Sequence, residues 1–253
     1  MTLLEVVDAT VRFGAVRAVE GVNMEVDAGA FVGVIGPNGA GKTTLFNAIT
    51  GFARLASGSI SLNGRTIHRL PPTARARHGI VRTFQNVGLN KSATVHENLL
   101  TAQSAGTLWR ELTGRRSGTP LMAMAEMTGV AHVLGSRVAD LSIGVAKNVE
   151  LACALARRPR LLLLDEPSSG LSPEETNRLG DVLLDVWREA DLTILMIEHD
   201  MELVGQVVQR VYALNFGALM ASGSPAEVAR EPAVVDAYLG EPVPEGRSSQ
   251  VVT

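Results

Sequence analysis

The spacing of apolar and polar residues predicts that the chain begins with β-strands. Apolar side chains alternate with polar ones at Leu4 and Val6 and again over residues 22–26, ahead of a turn at 27–29. Residues 59–62 alternate in the same way before an asparagine–glycine pair. A period of two is typical of strands with one buried face, and asparagine–glycine pairs are typical of tight turns. We therefore expect strands separated by turns in this part of the chain.

A strand, a glycine-rich loop and a helix are predicted to follow one another. Residues 31–35 form an apolar run that predicts a buried strand, and residues 36–41 are rich in glycine. From Lys42 to about Ile49 the spacing becomes helical, and Gly51 is placed to end that helix. The glycine-rich loop therefore lies at the start of a helix.

The rest of the chain predicts a helical region followed by alternating strands and helices. Residues 86–158 have helical periodicity with a polar break at 114–120. Beyond them, strands are predicted at 161–164, 193–197 and 211–214, and a helix at 173–190. Buried strands that alternate with helices favour a parallel sheet covered on both faces. We therefore expect residues 86–158 to be a helical insertion into an α/β domain.

Composition and charge exclude several classes of protein. The chain has 253 residues, of which 46% are hydrophobic, and its mean hydropathy is +0.17. Its longest uncharged stretch, residues 211–226, is interrupted by asparagine, glycine and proline, whereas a spanning helix needs roughly 20 apolar residues. The acidic residues Glu5 and Asp8 lie where a secretory signal would have a basic region followed by an apolar one. The single cysteine, Cys153, excludes an intramolecular disulfide. The net charge of −3 gives no general electrostatic reason to bind nucleic acid, so we expect a cytoplasmic protein of another class.

The glycine-rich loop matches the pattern G-x-x-x-x-G-K-[ST] of a phosphate-binding loop. The match and the threonine after it are Gly36, Pro37, Asn38, Gly39, Ala40, Gly41, Lys42, Thr43 and Thr44. In such a loop backbone N–H groups surround the phosphates of a nucleotide, Lys42 holds the β- and γ-phosphates, and the Thr43 hydroxyl binds Mg²⁺. Thr44 is placed for a further phosphate contact. The alternative is a glycine-rich turn without a ligand, but the chain has only three lysines, so a chance match is not expected. We predict binding of a nucleotide with Mg²⁺.

Two acidic residues and a histidine are predicted at one edge of the parallel sheet. Asp165 and Glu166 follow the run 161–164, and His199 follows the run 193–197. Open α/β sheets bind their ligands at this carboxyl edge. Asp165 is a candidate Mg²⁺ ligand, directly or through water, and Glu166, which points to the other face, is a candidate general base. His199 would donate to the γ-phosphate or orient the attacking water. The alternative for the two acids is a solvated strand end.

These motifs resemble those of the ATP-binding subunits of ABC transporters, and the resemblance covers residues 4–240. Further elements occur in the family's order: Phe13, Gln85, the segment 141–156 and His199. The resemblance implies that Phe13 stacks on adenine, and that Gln85 contacts Mg²⁺ and the attacking water. It implies that the loop around Gln85 couples nucleotide binding to a membrane subunit. It also implies that the segment 141–156 is the signature helix and that His199 is the switch histidine.

The signature departs from the family's usual L-S-G-G-Q. Residues 141–145 read L-S-I-G-V, so Ser142 and Gly144 are kept and the glutamine is replaced by Val145. Ser142 is a good N-cap, and its hydroxyl and the first-turn N–H groups can bind a phosphate, so Ser142 and Gly144 are assigned to ATP binding. The alternative is a capped amphipathic helix. Val145 has no hydrogen-bonding side chain, which predicts a weaker site. Ser172 stands where many relatives have aspartate, so the usual contact across the dimer is not carried over to it.

The resemblance implies the fold of an ABC ATPase. This is an α/β P-loop NTPase with a RecA-like parallel sheet core, an N-terminal antiparallel β subdomain and an inserted α-helical subdomain. A single nucleotide-binding domain would span residues 4–240, with its β and RecA-like core at 4–85 and 159–240. Residues 86–158 would form the helical signature subdomain. Residues 241–253, which include two prolines, are expected to be a disordered tail.

The C-terminal third resembles the Liv-type subunits of branched-chain amino acid importers. The similar segments are residues 165–176, 197–201, 215–217, 223–225 and 236–241. The resemblance implies an ATPase that powers the import of branched-chain or related hydrophobic amino acids. None of these residues would touch the solute, so urea, amides or another hydrophobic or amphiphilic solute remain alternatives.

The implied partners are those of a transporter. They are a second ATP-binding subunit in a head-to-tail dimer, two membrane permease subunits and, indirectly, a solute-binding protein, with no nucleic acid. Liv-type systems often use two different ATP-binding subunits, which favours a heterodimer. We expect a peripheral subunit at the cytoplasmic face of the cell membrane. Two other functions stay open: a weakly active regulatory subunit of an asymmetric pair, and a soluble ABC ATPase that transports nothing.

Overall fold

The computed structural model of the chain describes residues 1–83, 88–113 and 121–239. Its strands are β1 (Thr2–Phe13), β2 (Val16–Asp27), β3 (Phe31–Ile35), β4 (Ser57–Leu62), β5 (Arg65–Thr66), β6 (Ile80–Arg82), β7 (Leu161–Asp165), β8 (Thr193–Ile197), β9 (Arg210–Asn215) and β10 (Ala218–Gly223). Its α-helices are α1 (Lys42–Thr50), α2 (Pro72–Arg77), α3 (Val95–Thr113), α4 (Leu121–Met127), α5 (Ile143–Ala156), α6 (Pro173–Glu189), α7 (Met201–Val207), α8 (Pro225–Val228) and α9 (Pro232–Leu239). Gln85, the polar break at 114–120 and the expected tail at 241–253 lie outside the described residues.

The first sheet has four antiparallel strands in the order β2-β1-β4-β5. Leu4 pairs with Val26 on one side and with Leu62 on the other. Val6 pairs with Met24, and all five side chains are buried. The predicted alternation is confirmed, although β1 and β2 extend well beyond the residues that show it.

The second sheet has six strands in the order β10-β9-β3-β8-β7-β6. The strands from β9 to β6 run parallel, and β10 is an antiparallel edge strand. Apolar runs in the sequence predict β3, β7, β8 and β9 but not β6 or β10. β6 has three residues and β10 is partly exposed along its length, so neither forms a buried apolar run.

The parallel strands bury side chains on both faces. In β7, Leu161 and Leu163 pack with the first sheet and α1, whereas Leu162 and Leu164 pack with α5, α6 and α7. Burial on both faces explains why these strands are continuous apolar runs. The predicted parallel sheet with two covered faces is confirmed, and the carboxyl ends of β3, β7 and β8 meet at one edge.

Helices α3, α4 and α5 lie between β6 and β7 in the chain and enclose a third apolar cluster. Val95 and Leu99 of α3 pack there with Ala125 of α4 and Val149 of α5. Contacts of α4 and α5 with α6 join this helical part to the sheet. Where the structure describes this region, it is helical as predicted. Within the described residues, no helix combines the length and apolar character that crossing a bilayer requires.

Candidate functional site

The phosphate loop forms the turn between β3 and α1, and its glycines are required by the backbone. Gly36 has φ 146° and Gly41 has φ 97°, both in the region that favours glycine. A Cβ atom on Gly36 would lie 2.1 Å from the carbonyl oxygen of Leu214, and one on Gly41 would lie 2.3 Å from that of Ala18. The loop therefore packs directly against neighbouring backbone and holds its shape.

Lys42 is the first residue of α1, and its ammonium group lies inside the loop. Its side chain is buried, and Nζ donates to the carbonyl oxygens of Gly36 at 2.5 Å and Pro37 at 3.0 Å. Buried cations need such partners because desolvation of a charge is costly. The positive end of the α1 dipole lies at the same place. A buried cation, a helix N-terminus and loop N–H groups fit an anionic ligand such as the phosphates of a nucleotide.

An open cleft adjoins the loop. Seven of its lining residues are Asn38, Gly39, Ala40, Gly41, Lys42, Thr43 and Thr44. The others are Val16, Arg17, Ala18, Glu166 and Phe216. The structure thus brings most of the predicted phosphate loop together with the predicted general base.

Glu166 and Asp165 lie in different cavities. Glu166 has φ 49°, and its N–H donates to the carbonyl oxygen of Ile197 at 3.0 Å, so the chain turns away from β7 there. Glu166 lines the cleft of the phosphate loop. Asp165 lines a smaller neighbouring cavity with Thr83 and Lys147. The two carboxylates therefore face different groups, as the sequence analysis expects.

Asp165 pairs with Arg82, a residue that the sequence analysis does not identify. Arg82 Nη2 lies 2.5 Å from Asp165 Oδ2, and the two side chains are only 6% and 7% exposed. Arg82 Nη1 also donates to Asn47 Oδ1 at 2.7 Å, and the guanidinium lies over the Phe46 ring at 5.6 Å. Because Asn47 and Phe46 belong to α1, Arg82 connects the helix of the phosphate loop to the strand that carries Asp165. The only feature of the sequence that could have identified Arg82 is its charge at the end of the short run Ile80–Arg82.

A buried glutamate organises the end of β8. Glu198 is fully buried, and its Oε1 accepts from the N–H of Ser168 at 2.8 Å. Its Oε2 accepts from the N–H groups of His199 at 2.9 Å and Asp200 at 3.2 Å. The His199 side chain is exposed, with Nδ1 3.6 Å from Glu198 Oε2. His199 is thus at the expected sheet edge, and Glu198, which sequence analysis misses, joins this edge to the loop after β7.

The signature segment forms the N-terminus of α5, outside the cleft wall. Ser142 is the N-cap, and its Oγ accepts from the N–H of Val145 at 3.4 Å. Ser142 is exposed and Gly144 is partly buried. Lys147, one turn later, donates to the carbonyl oxygen of Pro167 at 2.7 Å. Burial lowers the pKa of Lys147, which nearby glutamates partly offset. The signature helix is thus attached to the loop that carries Glu166.

Ser172 has a structural role that explains its presence. It is the N-cap of α6 and forms a capping box with Glu175. Its N–H donates to Glu175 Oε2 at 2.9 Å, and its Oγ accepts from the N–H of Glu175 at 3.3 Å. The first of these bonds lowers the pKa of Glu175. Serine and aspartate cap helices about equally well, so this position meets the same local requirement with either residue.

Two exposed aromatic residues lie at or beside the cleft. Phe13 ends β1 and is exposed, but it is not part of the cleft wall. Its cross-strand partner Val16 does line the cleft. Phe216, which the sequence analysis does not assign to the site, lines the cleft as well. Gln85 lies outside the described residues.

Models of two protein families match the chain. Residues 19–169 match the family described as ABC transporter, and residues 218–244 match the family described as branched-chain amino acid ATP-binding cassette transporter. The first match includes the phosphate loop, the signature segment, Asp165 and Glu166. The two matches lie in the parts of the chain where the sequence resembles ABC and Liv-type subunits.

Several relatives are similar over nearly the whole chain. The high-affinity branched-chain amino acid transport ATP-binding protein BraF of Pseudomonas aeruginosa is 42% identical, over 94% of this chain and 98% of that protein. LivG of Escherichia coli, which has the same description, is 38% identical with the same coverage. LptB of Haemophilus influenzae, the ATP-binding protein of a lipopolysaccharide export system, is 31% identical over 95% of this chain and 98% of that one.

Solved structures share the fold. MJ1267, an ATP-binding cassette of an ABC transporter in its ADP conformation, superposes with a TM-score of 0.84 at 30% identity, over 95% of this chain and 100% of that one. A nucleotide-free ATP-binding cassette from an ABC transporter gives 0.81 at 29% identity, with the same coverage. The ATP-binding cassette fold therefore extends over almost the whole chain.

Proposed function

Because the chain belongs to the ABC transporter family, we propose that it is the ATP-binding and hydrolysing subunit of an importer for branched-chain or related hydrophobic amino acids. The observation that carries the ATPase activity is the cleft in which the phosphate loop, Lys42 and Glu166 meet. The solute rests on the match at residues 218–244 and on BraF and LivG, whose names state branched-chain amino acid transport.

The phosphate loop binds the phosphates of ATP. Its N–H groups and the N-terminus of α1 contact phosphate oxygens, with Thr44 as a further contact. Lys42 exchanges its contacts with the carbonyl oxygens of Gly36 and Pro37 for the β- and γ-phosphates, because the charged oxygens are better acceptors for an ammonium group. The buried position of Lys42 supports this assignment, since no conformational search is needed to bring the cation to the phosphates.

Thr43, Asp165 and Gln85 are the proposed ligands of Mg²⁺. They supply hydroxyl, carboxylate and amide oxygens, the donors that Mg²⁺ prefers beside phosphate oxygens and water. When bound, Mg²⁺ neutralises charge on the β- and γ-phosphates. Asp165 would contact it directly or through water, and Arg82 holds Oδ2 of the same carboxylate. Arg82 thereby orients the carboxylate relative to Thr43 on α1.

Glu166 acts as the general base for hydrolysis. Its carboxylate accepts a proton from the water whose oxygen attacks the γ-phosphorus, while the bond from that phosphorus to the ADP oxygen breaks. The position of Glu166 in the wall of the phosphate-loop cleft supports this role. His199 donates to the γ-phosphate or orients the water, and Glu198 fixes the backbone from which it extends.

A second ATP-binding subunit completes the site. Ser142 and Gly144 lie at the start of α5, outside the cleft of their own chain. In a head-to-tail dimer the first turn of α5 from one subunit closes over the nucleotide in the other. We propose a heterodimer with two permease subunits and a solute-binding protein, at the cytoplasmic face of the membrane. Residues 86–158 form the helical subdomain that contacts the permease, within a nucleotide-binding domain that spans residues 4–240.

The solute has alternatives within the same family. LptB, named for lipopolysaccharide export, is also similar over 95% of the chain, so similarity of the ATPase alone does not determine the solute. Urea, amides or another amphiphilic solute are the alternatives. Purification of the chain with its native membranes and identification of the permease and solute-binding protein decide between them. Hydrolysis that membrane subunits leave unchanged would favour an ATPase without a transport role, and slow hydrolysis by a complete complex would favour a regulatory subunit.

Replacement of Lys42 tests the ATPase assignment. Lys42→Ala removes the cation that the phosphate loop surrounds, so we expect loss of ATP binding and of hydrolysis, measured by calorimetry and phosphate release. Lys91→Ala is the matched control because Lys91 is exposed and lies outside the cleft, and it should bind ATP as the parent does. ATP binding by Lys42→Ala at the parental affinity would contradict the assignment.

A further inference from the structure

Phe216 occupies a turn position that its side chain disfavours. Asn215 of β9 pairs with Ala218 of β10, so Phe216 and Gly217 are the two central residues of a tight hairpin turn. Their φ values are 46° and 82°, as a type I′ turn requires. Asparagine and glycine are the residues that such turns prefer, whereas a bulky aromatic residue at positive φ is an outlier. Such outliers cluster at functional sites, where another requirement outweighs the strain.

The Phe216 side chain is also unusually exposed for an apolar residue. It is 86% exposed, more than any other large apolar side chain among the described residues except that of Met1. A strained conformation and a solvated ring are both unfavourable for the isolated chain. Both are explained if the ring is covered when a ligand is bound.

Hydrogen bonds fix the turn to the phosphate loop. The N–H of Gly217 donates to the carbonyl oxygen of Ala40 at 3.0 Å, and the carbonyl oxygen of Gly217 accepts from the N–H of Glu20 at 2.8 Å. A Cβ atom on Gly41 would lie only 3.2 Å from the Cα of Gly217, so the turn also packs closely against the phosphate loop. Phe216 is thus presented by a backbone that is bonded both to the phosphate loop and to β2.

An apolar wall lies beside the phosphate loop in the same cleft. Val16 and Phe216 both line the cleft, and Val16 is 65% exposed. Phe13, which pairs with Val16 across β1 and β2, is 57% exposed. The cleft therefore joins a region for phosphate to a region of exposed apolar side chains from two hairpins. This combination matches a ligand that carries a flat apolar base and a chain of phosphates.

We propose that Phe216 packs against the purine base of the bound nucleotide, together with Val16. This inference rests on the proposed function, because it assumes that the phosphates lie in the loop. Stacking of an aromatic side chain on a base changes affinity by roughly tenfold or more. Phe216 then contributes affinity for the base and none for the phosphates, so the two contributions can be separated.

Inorganic tripolyphosphate, which has no base, provides that separation. Calorimetric titration of the full chain with ATP and with tripolyphosphate, both with Mg²⁺, compares the parent with Phe216→Ala. We expect ATP binding to weaken about tenfold and tripolyphosphate binding to stay unchanged. Phe216→Tyr keeps the ring and should keep ATP affinity. Phe52→Ala is the matched control, since Phe52 is another exposed phenylalanine outside the cleft.

Phe216→Asn tests the strain and the contact together. Asparagine suits the first central position of a type I′ turn, so this variant should melt at a higher temperature while it loses the same ATP affinity as Phe216→Ala. A merely structural role for Phe216 would not produce a more stable protein with weaker ATP binding.

Other results overturn the inference in distinguishable ways. Equal weakening of ATP and tripolyphosphate binding would show that Phe216 acts by holding the phosphate loop. Unchanged binding of both ligands by Phe216→Ala would show that the ring does not touch the base. If the parent binds neither ligand, the proposed function itself is wrong, and the inference is overturned with it.

Discussion

At the scale of single residues, two cations dominate the site, and each is held by fixed partners. Lys42 is bonded to carbonyl oxygens of its own loop, and Arg82 is bonded to Asp165 and Asn47. The carbonyl groups that Lys42 contacts are neutral, so phosphate can replace them. Those of Arg82 include a carboxylate that is 7% exposed, so its loss leaves a charge without compensation in a medium of low polarity.

Arg82→Met should therefore destabilise the fold. Loss of one partner of an ion pair that is shielded from water typically costs about 3 kcal/mol or more. Asp165→Asn should be costly for the same reason, and the double variant should cost less than the sum of the two single variants. Unfolding in urea measures all three. Arg178→Met is the control, because Arg178 pairs with Glu174 at the surface, where such pairs contribute about 1 kcal/mol or less. An Arg82→Met cost no larger than that of Arg178→Met would contradict the prediction.

Residues with a local motif could be predicted from the sequence, whereas residues defined by long-range contacts could not. Lys42 is recognisable because the loop, its lysine and its helix are contiguous. Arg82 acts through Asp165, which lies 83 positions away in the chain, and Glu198 acts through Ser168, which is 30 positions away. No spacing rule connects such pairs, because the sheet order that brings them together is a property of the whole fold.

At the scale of secondary structure elements, α5 connects the helical part to the parallel sheet. Its partly buried Cys153 packs against the apolar clusters on both sides. Val149 and Ala152 of the same helix lie in the helical cluster, and Leu151 and Ala154 lie in the sheet cluster. A helix with apolar contacts on two sides has no single apolar stripe, which is typical of buried helices. Rearrangement of the helical part must therefore move α5 or repack it.

Cys153 reports on that packing through its reactivity. Burial raises the pKa of its thiol to about 12, from an ordinary value of 9.0. Because the thiolate is the nucleophile, alkylation by iodoacetamide at pH 8.5 should be about a thousandfold slower in the folded chain than in urea. The folded pKa lies above the unfolded one, so the contribution to stability is full below pH 9 and is lost as the pH rises toward 12. Cys153 is the one cysteine, so mass spectrometry follows it directly. Equal rates in buffer and in urea would mean that α5 is not packed as described.

Elements with a strong local pattern are the ones that sequence analysis predicts. β3, β7 and β8 are apolar runs because both faces are covered, and α1 ends at Gly51, which has φ 91°. β6 and β10 are edge strands of the second sheet. Their residues are determined by pairing with one neighbour and not by burial on two faces, so no apolar run marks them.

At the scale of the whole molecule, a single chain leaves the cleft of the phosphate loop open to solvent. The cleft holds the phosphate loop and Glu166, and the first turn of α5 with Ser142 lies elsewhere on the same chain. Water reaches a cleft of this openness freely, which opposes the exclusion of solvent that strengthens electrostatic contacts to a reacting phosphate. A second subunit that covers the cleft with its own α5 would remove this limitation for both subunits at once, because head-to-tail pairing places the α5 of each subunit over the cleft of the other.

Trapping of ATP should reveal this pairing. Glu166→Gln keeps the size and hydrogen-bonding capacity of the side chain but cannot accept a proton, so ATP persists in the cleft and holds two subunits together. Because we propose a heterodimer, we expect light scattering of Glu166→Gln mixed with the second ATP-binding subunit to show a dimer with ATP and monomers with ADP. Glu174→Gln, at an exposed position on α6, should behave as the parent does.

Addition of Lys42→Ala to Glu166→Gln should abolish the dimer, because the phosphates between the subunits are lost. Hydrolysis by Glu166→Gln at the parental rate would show that another group is the base. Dimerisation of Glu166→Gln alone with ATP would contradict the heterodimer, because two copies of this chain would then supply both the phosphate loops and the signature segments.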